Sequence, residues 1–265
     1  MDIADNTFYK NGWCKFSHDP AIATWVSKAL PLACKEVESN DHSDWLRCGG
    51  TWFVGVNALP NNTDSSIGDS NPLSGKVVDF IHNMPGLGNF QWDRAQISIC
   101  YPGYPAPSDS ETDKAYQFRT NRDAAHIDGL LPEGPERRRY LRETHGFLLG
   151  IPMVEYSRDA SPLVVWEGSH EMIRAAFNAR FSGIAPDKWG DEDVTELYQQ
   201  IRKRVFEQCR KVEVQASPGE TFLVHRLTVH GIAPWKETAT AGPDGRMICY
   251  FRPVLDKPEK WLSMK

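Results

Sequence analysis

Pro218-Gly-Glu-Thr-Phe-Leu-Val-His-Arg-Leu-Thr-Val-His-Gly231 is the stretch on which the fold of this chain turns. Proline and glycine open a β-turn, Thr221 to His225 carries the branched and aromatic side chains that suit a pleated, half-buried surface, and His230 with Gly231 stands at the exit. Runs of the same kind lie on both sides: Gln96-Ile-Ser-Ile-Cys-Tyr101, Gly146-Phe-Leu-Leu-Gly-Ile-Pro152, Leu163-Val-Val-Trp166, Lys211-Val-Glu-Val-Gln215 and Arg246-Met-Ile-Cys-Tyr-Phe251. Turn residues separate most of them, so the chain from Gln91 onward reads as a succession of short strands.

The rest of the composition agrees. With 18 Pro, 20 Gly, 9 Trp, 8 Tyr and 12 Phe in 265 residues, the chain is turn-rich and aromatic, closer to an all-β or mixed fold than to a helical bundle. It is 40% hydrophobic, enough for a sizeable core, and no repeat, low-complexity tract or linker divides it, so 1–265 is expected to be a single domain. A net charge of −5 gives no electrostatic footprint for nucleic acid. No stretch approaches the roughly 20 apolar residues of a membrane span, and the start has no basic, then apolar, export pattern. Six scattered cysteines without a CxxC pair argue against a disulfide framework. The expectation is a cytoplasmic protein with a small-molecule substrate, no nucleic-acid or membrane partner, and an oligomeric state the sequence does not specify.

Helices flank the strands. Asp19 is a cap candidate with Pro20 at the first helical position, and Ile22, Trp25, Val26, Leu30, Ala33 and Val37 form one apolar face, with a kink expected at Pro31. A short helix is expected at Val77 to Met84, another at Ser169 to Phe181 with Ser169 as its cap, and a third from Asp191 to Cys209. Residues 1–90 read as a helical and β extension.

The residues that carry chemistry are His126-Ile127-Asp128. In an extended segment i and i+2 share a face, so an imidazole and a carboxylate can converge on one metal ion. A histidine at the exit of the Pro218 strand supplies a third ligand. Two histidines and one carboxylate are the facial set of non-haem Fe(II) oxygenases, which leaves positions open for a cosubstrate and O₂. The same set also suits Zn²⁺ or Mn²⁺ in a cupin-like hydrolase or isomerase. Arg246, sixteen positions after His230, opens the next strand, and its guanidinium fork suits a carboxylate. His225 competes with His230. The two are five apart, so on a continuous strand they face opposite sides, and the following Gly231 favours His230.

Together, His126-x-Asp128, Trp166-Glu-Gly-Ser-His170 and the Pro-Gly-Glu strand ending Val-His-Gly resemble the Fe(II)/2-oxoglutarate-dependent oxygenases, and among them the phytanoyl-CoA dioxygenase family. The resemblance runs from about Gln91 to Phe251. It implies a double-stranded β-helix, a cupin-like jelly-roll that is mainly β with flanking helices. It implies His126, Asp128 and His230 as catalytic iron ligands, Arg246 on the far carboxylate of 2-oxoglutarate, and Gln96 near that cosubstrate. Fe(II), 2-oxoglutarate and O₂ would be the cofactors, and a small organic substrate would be hydroxylated as 2-oxoglutarate is decarboxylated to succinate. Related halogenases have a small residue at the carboxylate position, so Asp128 favours hydroxylation. A non-catalytic ligand-binding relative is the remaining alternative, and such relatives commonly lose a ligand that is present here.

Two insertions depart from the simplest family pattern, a polar stretch from Ser108 to Arg122 and about ten residues from Lys236 to Gly245; both are expected as loops at the site mouth. Arg137-Arg138-Arg139 with Arg142 reads as a solvated helix face, or as an attractor for an anionic substrate such as a carboxylate or CoA ester. Arg252, on the strand face of Arg246, is expected in an ion pair near the C terminus. Trp166 and His145 are expected to be structural.

Overall fold

The computed structural model describes residues 3–39, 44–108, 111–242 and 245–265. Their elements are α1 (Ile3–Asn11), β1 (Trp13–Phe16), α2 (Pro20–Glu38), β2 (Leu46–Arg47), β3 (Trp52–Gly55), α3 (Lys76–His82), β4 (Gln96–Cys100) and α4 (Asp113–Asn121). The hairpin β5 (Leu130–Glu133) and β6 (Arg138–Leu141) follows, then β7 (Phe147–Pro152), β8 (Leu163–Trp166), α5 (Ser169–Arg180) and α6 (Thr195–Gln208). The chain closes with β9 (Lys211–Val214), β10 (Thr221–His225), β11 (His230–Ile232), β12 (Arg246–Phe251) and α7 (Lys260–Ser263). No helix of the described residues is long and apolar enough to cross a membrane.

Two antiparallel sheets face each other. The large one has the order β1-β10-β7-β12-β4-β3-β2 and the small one β11-β8-β9, the arrangement of a jelly-roll. Alternation along the central strands sorts the side chains into two cores. One face of the large sheet joins the small sheet around Leu148, Leu163, Val165, Phe222, Val224, Ile248 and Tyr250. The other packs against α2 and α3, where Phe251 meets Trp25 at 5.9 Å and Trp92 at 5.0 Å between ring centroids. Large aromatics buried this fully contribute about 1.5–3 kcal/mol each, which holds the helical layer on the sheet. Gly150 is required by close approach, since a Cβ there would meet the Phe222 ring at 2.0 Å.

The first ninety residues are built into the sheet. β1 pairs with β10 from Trp13↔Val224 to Phe16↔Thr221, and β3 pairs with β4 from Trp52↔Cys100 to Gly55↔Ile97, so the N-terminal segment supplies both edges. Asp19 caps α2 through Ala21 N at 2.9 Å, and its second oxygen accepts from Lys76 N at 3.1 Å, so one carboxylate starts two helices.

Four local expectations are corrected. The helix expected from Asp191 begins at Thr195, because Pro186–Asp191 forms a 3-10 turn and Asp193 accepts from Thr195 N at 2.9 Å. Ser169 is not the cap of α5. Gly168, left-handed at φ 79°, holds that place, while Ser169 Oγ donates to Trp166 O at 2.6 Å and accepts from Val229 N at 2.9 Å. The run Arg137 to Arg142 is a β-hairpin arm rather than a helix face: Arg138 pairs with Asp193 at 2.6 Å, and Arg142 pairs with Glu133. The polar stretch before His126 contains α4, started by Thr112 Oγ1, which accepts from Ala115 N at 3.3 Å. Asp109, Ser110, Pro243 and Asp244, inside the two expected loops, lie outside the described residues.

Candidate metal centre

Between β10 and β11 the chain leaves the large sheet for the small one. Arg226 to Val229 make the crossing, fixed by Thr228 Oγ1 donating to Gly12 O at 2.7 Å and by the Ser169 bond to Val229 N. His230 therefore begins a new strand. The strand on which five residues separate His225 from His230 is not continuous, so the parity argument does not apply, although the two do part as it required. His225 stays behind, fully buried, with Nε2 accepting from Arg174 Nη2 at 3.0 Å and Arg226 Nη1 at 3.2 Å. Burial, and after it Arg226, His170 and Arg174, hold its imidazole well below the usual range.

His126 reaches the same place from the other side. His126 N donates to His230 O at 2.8 Å and His230 N to His126 O at 2.9 Å, a reciprocal pair that adds the His126 segment to the open edge of the small sheet. Gly231 makes this approach possible, since a Cβ there would stand 2.1 Å from Asp123 O. Ile127 N donates to Tyr198 Oη of α6 at 2.9 Å, which locks the residue between the two candidate ligands.

Both imidazoles are oriented alike. His126 Nδ1 lies 3.0 Å from Ala124 O and His230 Nδ1 2.9 Å from Thr228 O, so each Nδ1 carries the proton and each Nε2 presents a lone pair. Those Nε2 atoms lie 3.4 Å and 3.8 Å from Asp128 Oδ1, and one ligand atom from each of the three residues falls within 4.8 Å of the others. Burial pushes the His230 imidazole down to about 4 against the opposing pull of Asp128, so it is neutral at pH 7. Burial would raise the Asp128 carboxyl, but Arg252, His126 and His230 together hold it well below the usual carboxylate range. Two imidazole nitrogens and one carboxylate oxygen are a donor set suited to a divalent transition metal.

Arg252 corrects another expectation. Its Nη1 lies 3.8 Å from Asp128 Oδ1, beside this cluster rather than near the C terminus. Its own backbone is held on both sides, N donating to Asp93 Oδ1 at 2.9 Å and O lying 2.7 Å from His145 Nδ1, which gives His145 the structural role expected of it.

A cavity of about 180 Å³ runs from the three residues into the jelly-roll, between Trp52, Gln96, Ser98, Leu148 and Tyr250. Gln96 is thus brought to the cluster. Arg246 lies deeper, beyond Tyr250 on the same face of β12, fully buried with its guanidinium 5.1 Å from the Tyr156 ring centroid. Among the described residues none of its three guanidinium nitrogens has a hydrogen-bond partner, and the Tyr250 hydroxyl has none either. A buried, permanently charged fork without an acceptor calls for an anion. Tyr250 and Trp52 went unnoticed in the sequence. The period of two from Arg246 along its own strand identifies Tyr250, whereas Trp52 sits on a strand of the 1–90 extension, which lies outside the family resemblance.

No family model matches the chain, and no curated protein matches it. Solved structures do. The non-haem α-ketoglutarate-dependent epimerase SnoN from nogalamycin biosynthesis superimposes with a TM-score of 0.53 at 11% identity, covering 95% of this chain and 81% of that one. The chain has the fold of a non-haem α-ketoglutarate-dependent enzyme. SnoN in complex with Fe3+, α-ketoglutarate and nogalamycin RO gives a TM-score of 0.52 at 12% identity over 94% of this chain and 82% of that one. EctD from S. alaskensis with 2-oxoglutarate and 5-hydroxyectoine is similar at 15% identity and a TM-score of 0.48, covering 97% and 79%. The α-ketoglutarate-dependent fold accounts for the large sheet, the three-stranded sheet and the helical layer described above.

Proposed function

We propose that the chain is a non-haem Fe(II)- and 2-oxoglutarate-dependent oxygenase that hydroxylates a small organic substrate. The observation that carries the reading is the convergence of His126 Nε2, Asp128 Oδ1 and His230 Nε2 at one end of a cavity beyond whose wall lies a buried Arg246 with no hydrogen-bond partner among the described residues. The three residues would hold the iron, which when bound supplies the activation of O₂ through oxidation of 2-oxoglutarate. Arg246, with the Tyr250 hydroxyl, would hold the far carboxylate of 2-oxoglutarate, and Gln96 would border its body. The chain's own contribution is geometric. The reciprocal pair of residues 126 and 230 sets the spacing of the imidazoles, the Ala124 and Thr228 carbonyls fix their tautomers, and Leu148, Val54 and Trp52 give the cavity an apolar wall. The direct test is anaerobic addition of Fe(II) and then 2-oxoglutarate, which should produce a weak visible metal-to-ligand charge-transfer band. A chain that binds Fe(II) without developing the band on addition of 2-oxoglutarate is not an oxygenase of this class.

A further inference from the structure

A second recess meets the three residues from outside the jelly-roll. It has a volume of about 370 Å³ and shares Trp52, His126, Asp128 and Arg252 with the inner cavity. The cluster therefore stands at a junction of two spaces. The inner one ends on a wall that includes Tyr250, beyond which Arg246 lies, and the outer one opens toward α4, the β5–β6 hairpin and α6. Four arginines line the outer groove, and their partners differ. Arg119 is taken by Glu111, with Nε at 3.1 Å and Nη2 at 2.6 Å from one oxygen, and Arg252 faces Asp128. Arg139 and Arg202 form no ion pair with a described residue. Each gives a single Nη1 bond to a backbone carbonyl, Arg139 to Leu130 O at 2.8 Å and Arg202 to Ala125 O at 3.2 Å. A guanidinium has five donors, so most of theirs are uncommitted. Burial presses against the charge on Arg139, and the like charges of Arg202 and Arg137 act in the same direction. Apolar surface adjoins them. Phe118 lies under Arg202 at 4.5 Å, and Leu131, 41% exposed, forms part of the wall.

We propose that this outer groove is the substrate site and that it takes a small molecule bearing a carboxylate or phosphate on an apolar or aromatic body, with Arg139 and Arg202 binding the oxyanion and Phe118 and Leu131 the body. The proposal rests on the oxygenase reading in that the groove is taken as the approach to the metal. Anionic charge satisfies two half-buried cations, and the reacting carbon of a body seated along the groove comes to rest beside His126 and Asp128. A neutral polar substrate would leave both charges uncompensated.

The test compares four probes with one body, 4-phenylbutanoate, 3-phenylpropyl phosphate, 4-phenylbutanamide and 4-phenylbutylamine, binding to the full chain saturated with 2-oxoglutarate. Calorimetry and tryptophan fluorescence, to which Trp52 in the wall responds, give the affinities. At least one anion is expected to bind about tenfold tighter than the amide, and to weaken between about 20 and about 200 mM salt. Whichever anion is tighter identifies the class. Arg139→Gln and Arg202→Gln, each still able to donate to its carbonyl, should weaken the anion about tenfold and leave the amide unchanged. The Fe(II)·2-oxoglutarate band should persist in both. Equal affinity for anion and amide in the unaltered chain overturns the proposal without any variant, as do variants that keep the band and bind the anion at full affinity. A chain that prefers the anion but gives no band with 2-oxoglutarate fails as an oxygenase while keeping this anion site.

Discussion

Replacing Arg246 by methionine should have two effects of opposite sign. The guanidinium is fully buried, and its three nitrogens lack acceptors among the described residues. An unsatisfied buried polar group costs about 1–3 kcal/mol, so even at the low end the three nitrogens together cost about 3 kcal/mol. The Tyr156 ring at 5.1 Å returns about 2 kcal/mol of that through the cation–π interaction. Methionine fills a similar volume without the charge, so Arg246→Met should stabilise the ligand-free protein by about 1 kcal/mol, a rise of about 2–4 °C in Tm for a chain of this size. If Arg246 holds the far carboxylate of 2-oxoglutarate as proposed, the same change should remove two charge-assisted hydrogen bonds from it, about 3 kcal/mol or roughly 100-fold in Kd. Thermal unfolding of the metal-free protein and anaerobic titration with 2-oxoglutarate measure the two effects separately. A lower Tm would mean that the guanidinium already has the partners that hold it in place. A Kd within about threefold of the unaltered chain would remove Arg246 from the cosubstrate site.

Asp128→Ala should abolish iron-dependent succinate formation and leave a folded protein, because the carboxylate lies at the cavity mouth rather than in the core; near-normal turnover would refute the ligand assignment. His230→Gln should lose Fe(II), whereas His225→Gln, which keeps an acceptor for Arg174 and Arg226, should retain it; equal loss in equilibrium dialysis would refute the separation of the two histidines. Stability should fall as pH drops below about 6.5, because unfolded imidazole takes up a proton that folded His225 refuses. That contributes about 1.4 kcal/mol per pH unit and nothing above the unfolded pKa, and His225→Gln should reduce the slope of denaturant stability against pH by that amount. Ser169→Ala strips the Val229 N–H and the Trp166 carbonyl of one partner, and should cost about 2 kcal/mol in urea unfolding; a loss under about 0.5 kcal/mol would show that water or a backbone shift replaces it.

The strands of the jelly-roll could be read from the sequence because their runs are apolar and bounded by turns. Their pairing could not, since it depends on contacts between distant segments. His126, Asp128 and His230 were legible as chemistry, a two-residue spacing and a strand exit. The break after His225 was not, because Arg226 to Val229 contain neither glycine nor proline and the crossing is held by Gly12 O and Ser169 Oγ, from distant parts of the chain. Arg252 was misplaced for a related reason: its distance from Asp128 is set by the β12–β7–β4 register, which no local pattern encodes. The Arg137 to Arg142 run was misread because a charged hairpin arm and a charged helix face have the same composition.

The two imidazoles and the carboxylate are held by different means. The 126 and 230 backbones grip one another directly, and each ring is aimed by a carbonyl two residues away, so the imidazole pair is part of the main-chain frame. Asp128 is a pendant, steadied by Arg252 and the rings themselves. The centre is therefore modular. Trimming position 128 should remove the carboxylate and leave the two imidazoles where the main chain holds them, which makes this residue the corner of the cluster that can be altered without redesigning its scaffold.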